Sequence, residues 1–189
     1  MDEAPPPTLP DLLRPGLAVV FVGINPSVYS ARKGHYFARP GNRFWPALSR
    51  SWLSRAARAA LGVAELRPEH DRLLLDHGFG FTDVVKRPTA RADEVTEGQF
   101  GEGVPLLAEK LERHAPGIAC FLGITGYRRV HRAIAANPSP PQLGLQPLRL
   151  GTTRLFLVPS PSGANAHARP AEQTLWFDRL ADLLGFARA

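Results

Sequence analysis

Asn25 is the residue around which the chemistry of this chain can be organised. It stands in Gly23-Ile24-Asn25-Pro26-Ser27, where the following proline stiffens the turn and holds an amide side chain in one place. An amide donates and accepts hydrogen bonds but takes no proton from water, so an acid–base step beside it needs another group. The loop that follows interleaves Tyr29, His35, Tyr36 and Phe37 with Arg32, Lys33, Arg39 and Arg43. Flat rings among guanidinium groups suit a nucleobase and its phosphates. Taken singly, each piece also has a plainer reading: Asn25 as an Asx-turn residue, Phe44 and Trp45 as core.

The elements that must position these groups follow from the hydrophobic pattern. Leu17 to Val22 is an unbroken apolar run ending at Gly23, the pattern of a strand buried on both faces. In an open α/β sheet the ligand crevice lies at the carboxyl ends of the strands, which is where Asn25 falls. Asn42 to Leu61 reads as helix, capped by Asn42 and broken near Pro46 and Ser51, and Pro68 to His77 as a second helix. Gly80 to Val85 reads as a short strand, and the polar stretch from Lys86 to Val95 as a functional loop. Leu106 to Arg113 is an amphipathic helix and Gly117 to Leu122 a second buried strand. The helix Thr125 to Ala136 carries Arg128, Arg129, His131 and Arg132, and its start, just after a strand, attracts phosphate. Leu145–Leu150 and Arg154–Val158 form a hairpin or an edge strand beside the third central one. A small-residue loop, Val158 to His167, precedes a closing helix from Pro170 to Leu184 with Leu175, Trp176, Leu180, Leu183 and Leu184 on its apolar side. This order predicts one α/β domain, residues 11–189, with a central mainly parallel sheet sandwiched between helices, and residues 1–10 as a loose tail.

Composition narrows the partner. With 189 residues, 44% hydrophobic and 21% charged, the chain can bury one sizeable core. The net charge of +6 is unevenly spread: Leu12 to Ala64 holds eight Arg/Lys and no acid, Glu65 to Glu112 eleven acids against six bases, and the remainder nine bases against three acids. A fold that joins the two basic blocks presents a positive face to a polyanion. The lone Cys120 reads as core, and the six histidines have no metal-ligand spacing, so no metal or other cofactor is expected. The acidic, proline-rich start is neither a signal peptide nor a membrane span. A cytoplasmic, nucleoid-associated monomer is the expectation.

Two motifs and the pocket loop between them carry a family resemblance. Gly23-Ile24-Asn25-Pro26, the run from Lys33-Gly34-His35-Tyr36-Phe37 through Pro40-Gly41-Asn42-Arg43-Phe44-Trp45, and Pro159-Ser160-Pro161-Ser162-Gly163 resemble the mismatch-specific uracil/thymine DNA glycosylases of the uracil-DNA glycosylase superfamily, over about residues 15 to 185. The resemblance implies an enzyme that flips uracil, and more weakly thymine or a modified cytosine, out of mismatched duplex DNA. It then hydrolyses the N-glycosidic bond and leaves an abasic site. It implies that Asn25 positions the attacking water and that Phe37 stacks on the base. Ile24, Ser27, Ser30 and Asn42 complete the base pocket, with Ser30 facing carbon 5 of the pyrimidine. Ser162, Gly163, Ala164 and Asn165 would enter the minor groove, Ala164 standing where some members carry a leucine wedge, while Arg128 and Arg129 bind phosphate.

A general base must come from outside the acid-free block around Asn25. Asp93 is the first candidate, Glu94 the second and Asp83 the third, with helix capping an equal reading of Asp93. The competing class is a non-catalytic nucleic-acid-binding module, which needs the arginines but not Asn25. A dinucleotide enzyme lacks its Gly-x-Gly-x-x-Gly after Val22, and Pro161-Ser162-Gly163 is no hydrolase elbow.

Overall fold

The computed structural model describes residues 7–136, 140–163 and 170–186. β1 (Val19–Gly23), β2 (Phe79–Asp83), β3 (Ile118–Leu122), β4 (Gly144–Leu150) and β5 (Thr153–Val158) form one sheet in the order β2-β1-β3-β5-β4. Only β4 is antiparallel, paired with β5 as a hairpin. The other connections pass through helices, as parallel pairing requires. Between β1 and β2 run α1 (Val28–Lys33), α2 (Phe44–Arg50) and α3 (Arg55–Leu61), between β2 and β3 α4 (Glu97–His114), and after β3 α5 (Ile124–Ile134). The closing helix α6 (Pro170–Leu184) contacts α2.

Alternation along the strands sorts the core into two layers. Val19, Phe21, Phe81 and Phe156 join Phe44 and Leu48 of α2 and Phe177 and Leu180 of α6 on one side. Val20, Val22, Phe121 and Leu155 join Val104, Leu107 and Leu111 of α4 and Tyr127 and Val130 of α5 on the other. This two-faced burial is why the strands read as continuous apolar runs. Phe21 anchors the first layer, its ring edge-on to Phe44 at 4.9 Å and Phe177 at 5.8 Å.

Several local expectations are corrected. The stretch after Ser27 is not all loop: Ser27 Oγ accepts the Ser30 N–H and caps α1. The helix expected over 42–61 is broken at Ser51 as expected, with a 3-10 turn, Trp52–Ser54, between two helices, but it starts at Phe44 and runs unbroken through Pro46. Pro68 to His77 is a pair of 3-10 turns with Asp71 between them, whose buried carboxylate has work elsewhere. α4 begins nine residues before the expected Leu106, where Thr96 and Gln99 form a capping box. On α6, Leu175 is exposed and Phe177 takes the buried position.

The tail is shorter than expected. Leu9 is 2% exposed, and Leu12 exchanges two 2.9 Å backbone hydrogen bonds with Phe81, covering the outer edge of β2. Residues 1–6 lie outside the described part.

Candidate active site

A concavity of about 150 Å³ opens at the carboxyl ends of β1 and β2, lined among others by Ile24, Asn25, Ser27, Ser30, Phe37, Asn42, Asp83 and Ser162. Its floor is extended sheet. Beyond Gly23 the chain stays zipped to the segment after β2: Val84 N–H donates to the Gly23 carbonyl at 3.0 Å, Val85 N–H to Ile24 at 2.9 Å, and Thr89 N–H to Pro26 at 3.2 Å. The loop carrying Asn25 is therefore backbone-fixed, which its sequence of turn formers alone does not require.

The amide of Asn25 has a defined orientation. Nδ2 donates to the Arg87 carbonyl at 2.9 Å and to Thr89 Oγ1 at 2.8 Å. Thr89 spends its own proton on the Arg91 carbonyl, so its oxygen can only accept from Asn25. With both donors committed, Oδ1 is the atom left to accept from a ligand or a water.

Phe37 is one of two non-glycine residues with positive φ among those described, at 54°. A bulky residue there costs about 1 to 3 kcal/mol and persists only where neighbours over-determine it. Three bonds do so: Asp71 Oδ2 accepts the Tyr36 N–H at 3.0 Å, Trp45 Nε1 donates to the Tyr36 carbonyl at 2.9 Å, and Ser30 Oγ accepts the Ala38 N–H at 3.0 Å. Asp71 also meets His35 Nδ1 at 3.1 Å. The result is a half-buried ring, 4.4 Å from Phe44, forming a wall of the cavity. Asn42 Oδ1 accepts the Phe44 N–H at 2.9 Å from one position ahead of the N-cap, which is Arg43 and not the expected Asn42.

Glycines mark the close approaches. A Cβ on Gly23 would stand 2.4 Å from Asp83 Oδ1, and one on Gly163 would stand 2.8 Å from the Gly41 carbonyl. Arg43 N–H donates to the Pro161 carbonyl at 2.8 Å, so the two motif loops are directly joined. Ala164 and Asn165 lie outside the described residues.

The carboxylates divide differently from the sequence ranking. Asp83, ranked third, is 2% exposed inside the cavity, and burial pushes it up to about 7. Asp93, ranked first, is exposed, paired with Arg91 Nε at 3.0 Å, and lines an adjoining cavity that shares Ile24, Ala92, Leu122, Ser160 and Ser162 with the first. Glu94 is exposed. Asp93 does not cap α4, since Thr96 does. Of the two α5 arginines expected to meet phosphate, Arg128 is exposed, whereas Arg129 is held by Glu97 at 2.9 Å and lies over the Phe100 ring. Arg129 is thus tied to the start of α4, and it also lines the adjoining cavity. Tyr36 and Arg39 of the aromatic and basic loop also line the cavity, as do Leu9 and Thr89, which were not singled out. The sequence around Leu9 and Thr89 carries no such signal, because distant partners place these residues, Thr89 meeting Asn25 across 64 positions of chain.

A rigid amide, an aromatic wall and a second loop meet at the strand ends of a mostly parallel sheet, where α/β enzymes carry their sites. The chain belongs to the Uracil DNA glycosylase superfamily, whose family model matches residues 10–183. It is thus a DNA glycosylase-type hydrolase, with DNA as its substrate. The fold is also similar to the solution structure of a proposed uracil DNA glycosylase from Methanosarcina acetivorans, with a TM-score of 0.56 and 21% identity over 93% of this chain and 98% of that one.

Proposed function

We propose that the protein is a monofunctional, metal-independent glycosylase that takes uracil, and more weakly thymine or a modified cytosine, from mismatched duplex DNA and leaves an abasic site. The observation that carries this is the Asn25 amide, which lines the cavity walled by Phe37 and whose donors are tied to Arg87 and Thr89, leaving Oδ1 as its acceptor. In this reading the base flips from the duplex and stacks on Phe37, between Ile24, Ser27, Ser30 and Asn42. Asn25 Oδ1 then aligns water on the sugar carbon, and alignment of that kind contributes several kcal/mol to the barrier reduction. Asp93, paired with Arg91 in the adjoining cavity, is the group that takes the water's proton. Ser162 to Asn165 enter the minor groove, and Arg128 meets a phosphate of the same strand.

The test is incubation of the protein with labelled duplexes carrying G·U, A·U and G·T, and with single-stranded U, in chelator, followed by alkaline cleavage at abasic sites. Cleavage at G·U ahead of the others supports the reading. Binding without cleavage would favour a non-catalytic DNA-binding module, which the basic outer blocks of the chain also fit.

A further inference from the structure

Gly126 stands in the first turn of α5, an 11-residue helix, and is buried there. Glycine is the poorest helix former apart from proline, so it weakens a helix this short unless a neighbour needs the space that a side chain would fill. Ile24 needs that space. A Cβ on Gly126 would lie 2.3 Å from Ile24 Cγ1 and 2.9 Å from its Cδ1, so the isoleucine is seated directly against the backbone of α5.

Both backbones at this contact are held. Val84 N–H donates to the Gly23 carbonyl at 3.0 Å and Val85 N–H to that of Ile24 at 2.9 Å, and Pro26 stiffens the turn beyond. Retreat toward the sheet is closed as well, since Gly23 already stands against Asp83, where a Cβ would come within 2.4 Å of Oδ1. On the helix side, Gly123 N–H donates to the Val158 carbonyl at 3.0 Å and Tyr127 packs on Phe121 at 4.9 Å, which ties the first turn of α5 to β5 and β3. A side chain at position 126 would therefore be accommodated by turning Ile24 about its own Cα–Cβ bond.

The cavities give that turn its direction. Ile24 lines both the base cavity and the adjoining one, whereas Gly126 lines the adjoining one and not the base cavity. Moving Ile24 away from Gly126 thus moves it toward the base. We propose that Gly126 is a positioning residue, which keeps the base cavity open by giving Ile24 a seat in α5. The proposal rests on the glycosylase reading of the cavity. At about 150 Å³, against about 590 Å³ for its neighbour, the base cavity has the less room to lose. A misplaced methyl group in a close-fitting pocket changes a rate by roughly 10- to 200-fold.

Single-turnover excision of G·U should be measured at saturating enzyme for the wild type, Gly126→Ala, Ile24→Ala and the double variant. Gly126→Ala should lower the rate by about tenfold or more, although alanine is the better helix former. Ile24→Ala should lower it too, by removing part of the wall. In the double variant the added methyl group should cost nothing further, because what then faces it is the Cβ of residue 24 at 3.7 Å, an ordinary contact. Binding separates a role in the cavity from one in folding or in the approach of a phosphate to α5. Gly126→Ala should weaken affinity for a G·U duplex whose 2′-fluorinated sugar resists cleavage, and leave unchanged the affinity for an abasic duplex, which places no base in the cavity. Wild-type activity in Gly126→Ala, a further loss in the double variant, or an equal loss of affinity for both duplexes overturns the proposal while leaving the glycosylase reading intact. Should Gly126→Ala fail to fold, the double variant decides: a rate equal to that of Ile24→Ala upholds the proposal and a lower one overturns it. A wild type that removes no base overturns the glycosylase reading, and this one with it.

Discussion

Thr89 Oγ1 lies 2.8 Å from Asn25 Nδ2, and because Thr89 donates to the Arg91 carbonyl, this contact fixes which way round the Asn25 amide stands. Asn25→Ala should lower single-turnover excision by about 100-fold or more, with duplex affinity changed only a few-fold, since the amide acts on water and not on phosphate. Thr89→Val should fall between this variant and the wild type, by loosening the amide without removing it. Equal rates for Asn25→Ala and wild type would refute the assigned role.

Ser30 bears on which base is removed. Its hydroxyl oxygen holds the Ala38 N–H at 3.0 Å and meets Ser27 Oγ at 3.0 Å, and the residue is 3% exposed at the cavity wall. A side chain this fixed cannot swing aside for a thymine methyl, and one crowded methyl is worth about 1 to 3 kcal/mol, roughly 10- to 200-fold in rate. Uracil should be removed well ahead of thymine, and Ser30→Ala should narrow the gap while costing about 1 kcal/mol of stability through the lost Ala38 bond. Paired G·U and G·T single-turnover assays measure the first effect, and urea unfolding the second.

Asp93 is separated from the base cavity by Ala92, which lines both cavities. As acceptor of the water's proton it should matter most where hydroxide is scarce. Asp93→Asn should depress excision at neutral pH and recover in alkali, with melting temperature nearly unchanged because its exposed Arg91 pair contributes little. A single-turnover rate unchanged at neutral pH would reduce Asp93 to a surface ion pair.

Asp83 should also be visible in stability. Its folded value, about 7, lies above the ordinary 3.8, so its contribution is fully present below about pH 4 and is lost as pH rises through about 7. Wild type should therefore lose a few kcal/mol relative to Asp83→Asn between about pH 4 and about pH 8. The difference between the two proteins is the quantity to measure, since Asp11, lowered in the fold, changes with pH in the opposite sense in both. Parallel urea midpoints across that range would contradict the buried assignment.

Arg128 and Arg129 of α5 should behave differently. Arg128→Ala should weaken binding to all duplexes alike and reduce the salt slope by about one phosphate contact. Arg129→Ala should leave that slope nearly unchanged and lower stability instead, because Arg129 sits between Glu97 and the Phe100 ring. A common loss of salt dependence in both would show that Arg129 leaves Glu97 when DNA binds.

The sequence by itself determined the elements whose signals are local. Strands β1, β3 and β5 are legible because burial on both faces leaves continuous apolar runs, and the order of strands and helices implies a parallel sheet. The two motif loops are legible because turn-forming and small residues follow directly on those strands. Tertiary structure alone decided the groups that act through distant partners. Asp71 looked like one more helix residue, yet it clamps the backbone before Phe37 across 35 positions of chain. Leu9 looked like tail, yet it lines the cavity. Asp83 and Asp93 are equally ordinary acids in the sequence, and only packing sends one beneath Gly23, stripped of water, and leaves the other in solvent. Residue type sets what a side chain can do, but burial and charge neighbours set its protonation, and those are properties of the folded surroundings.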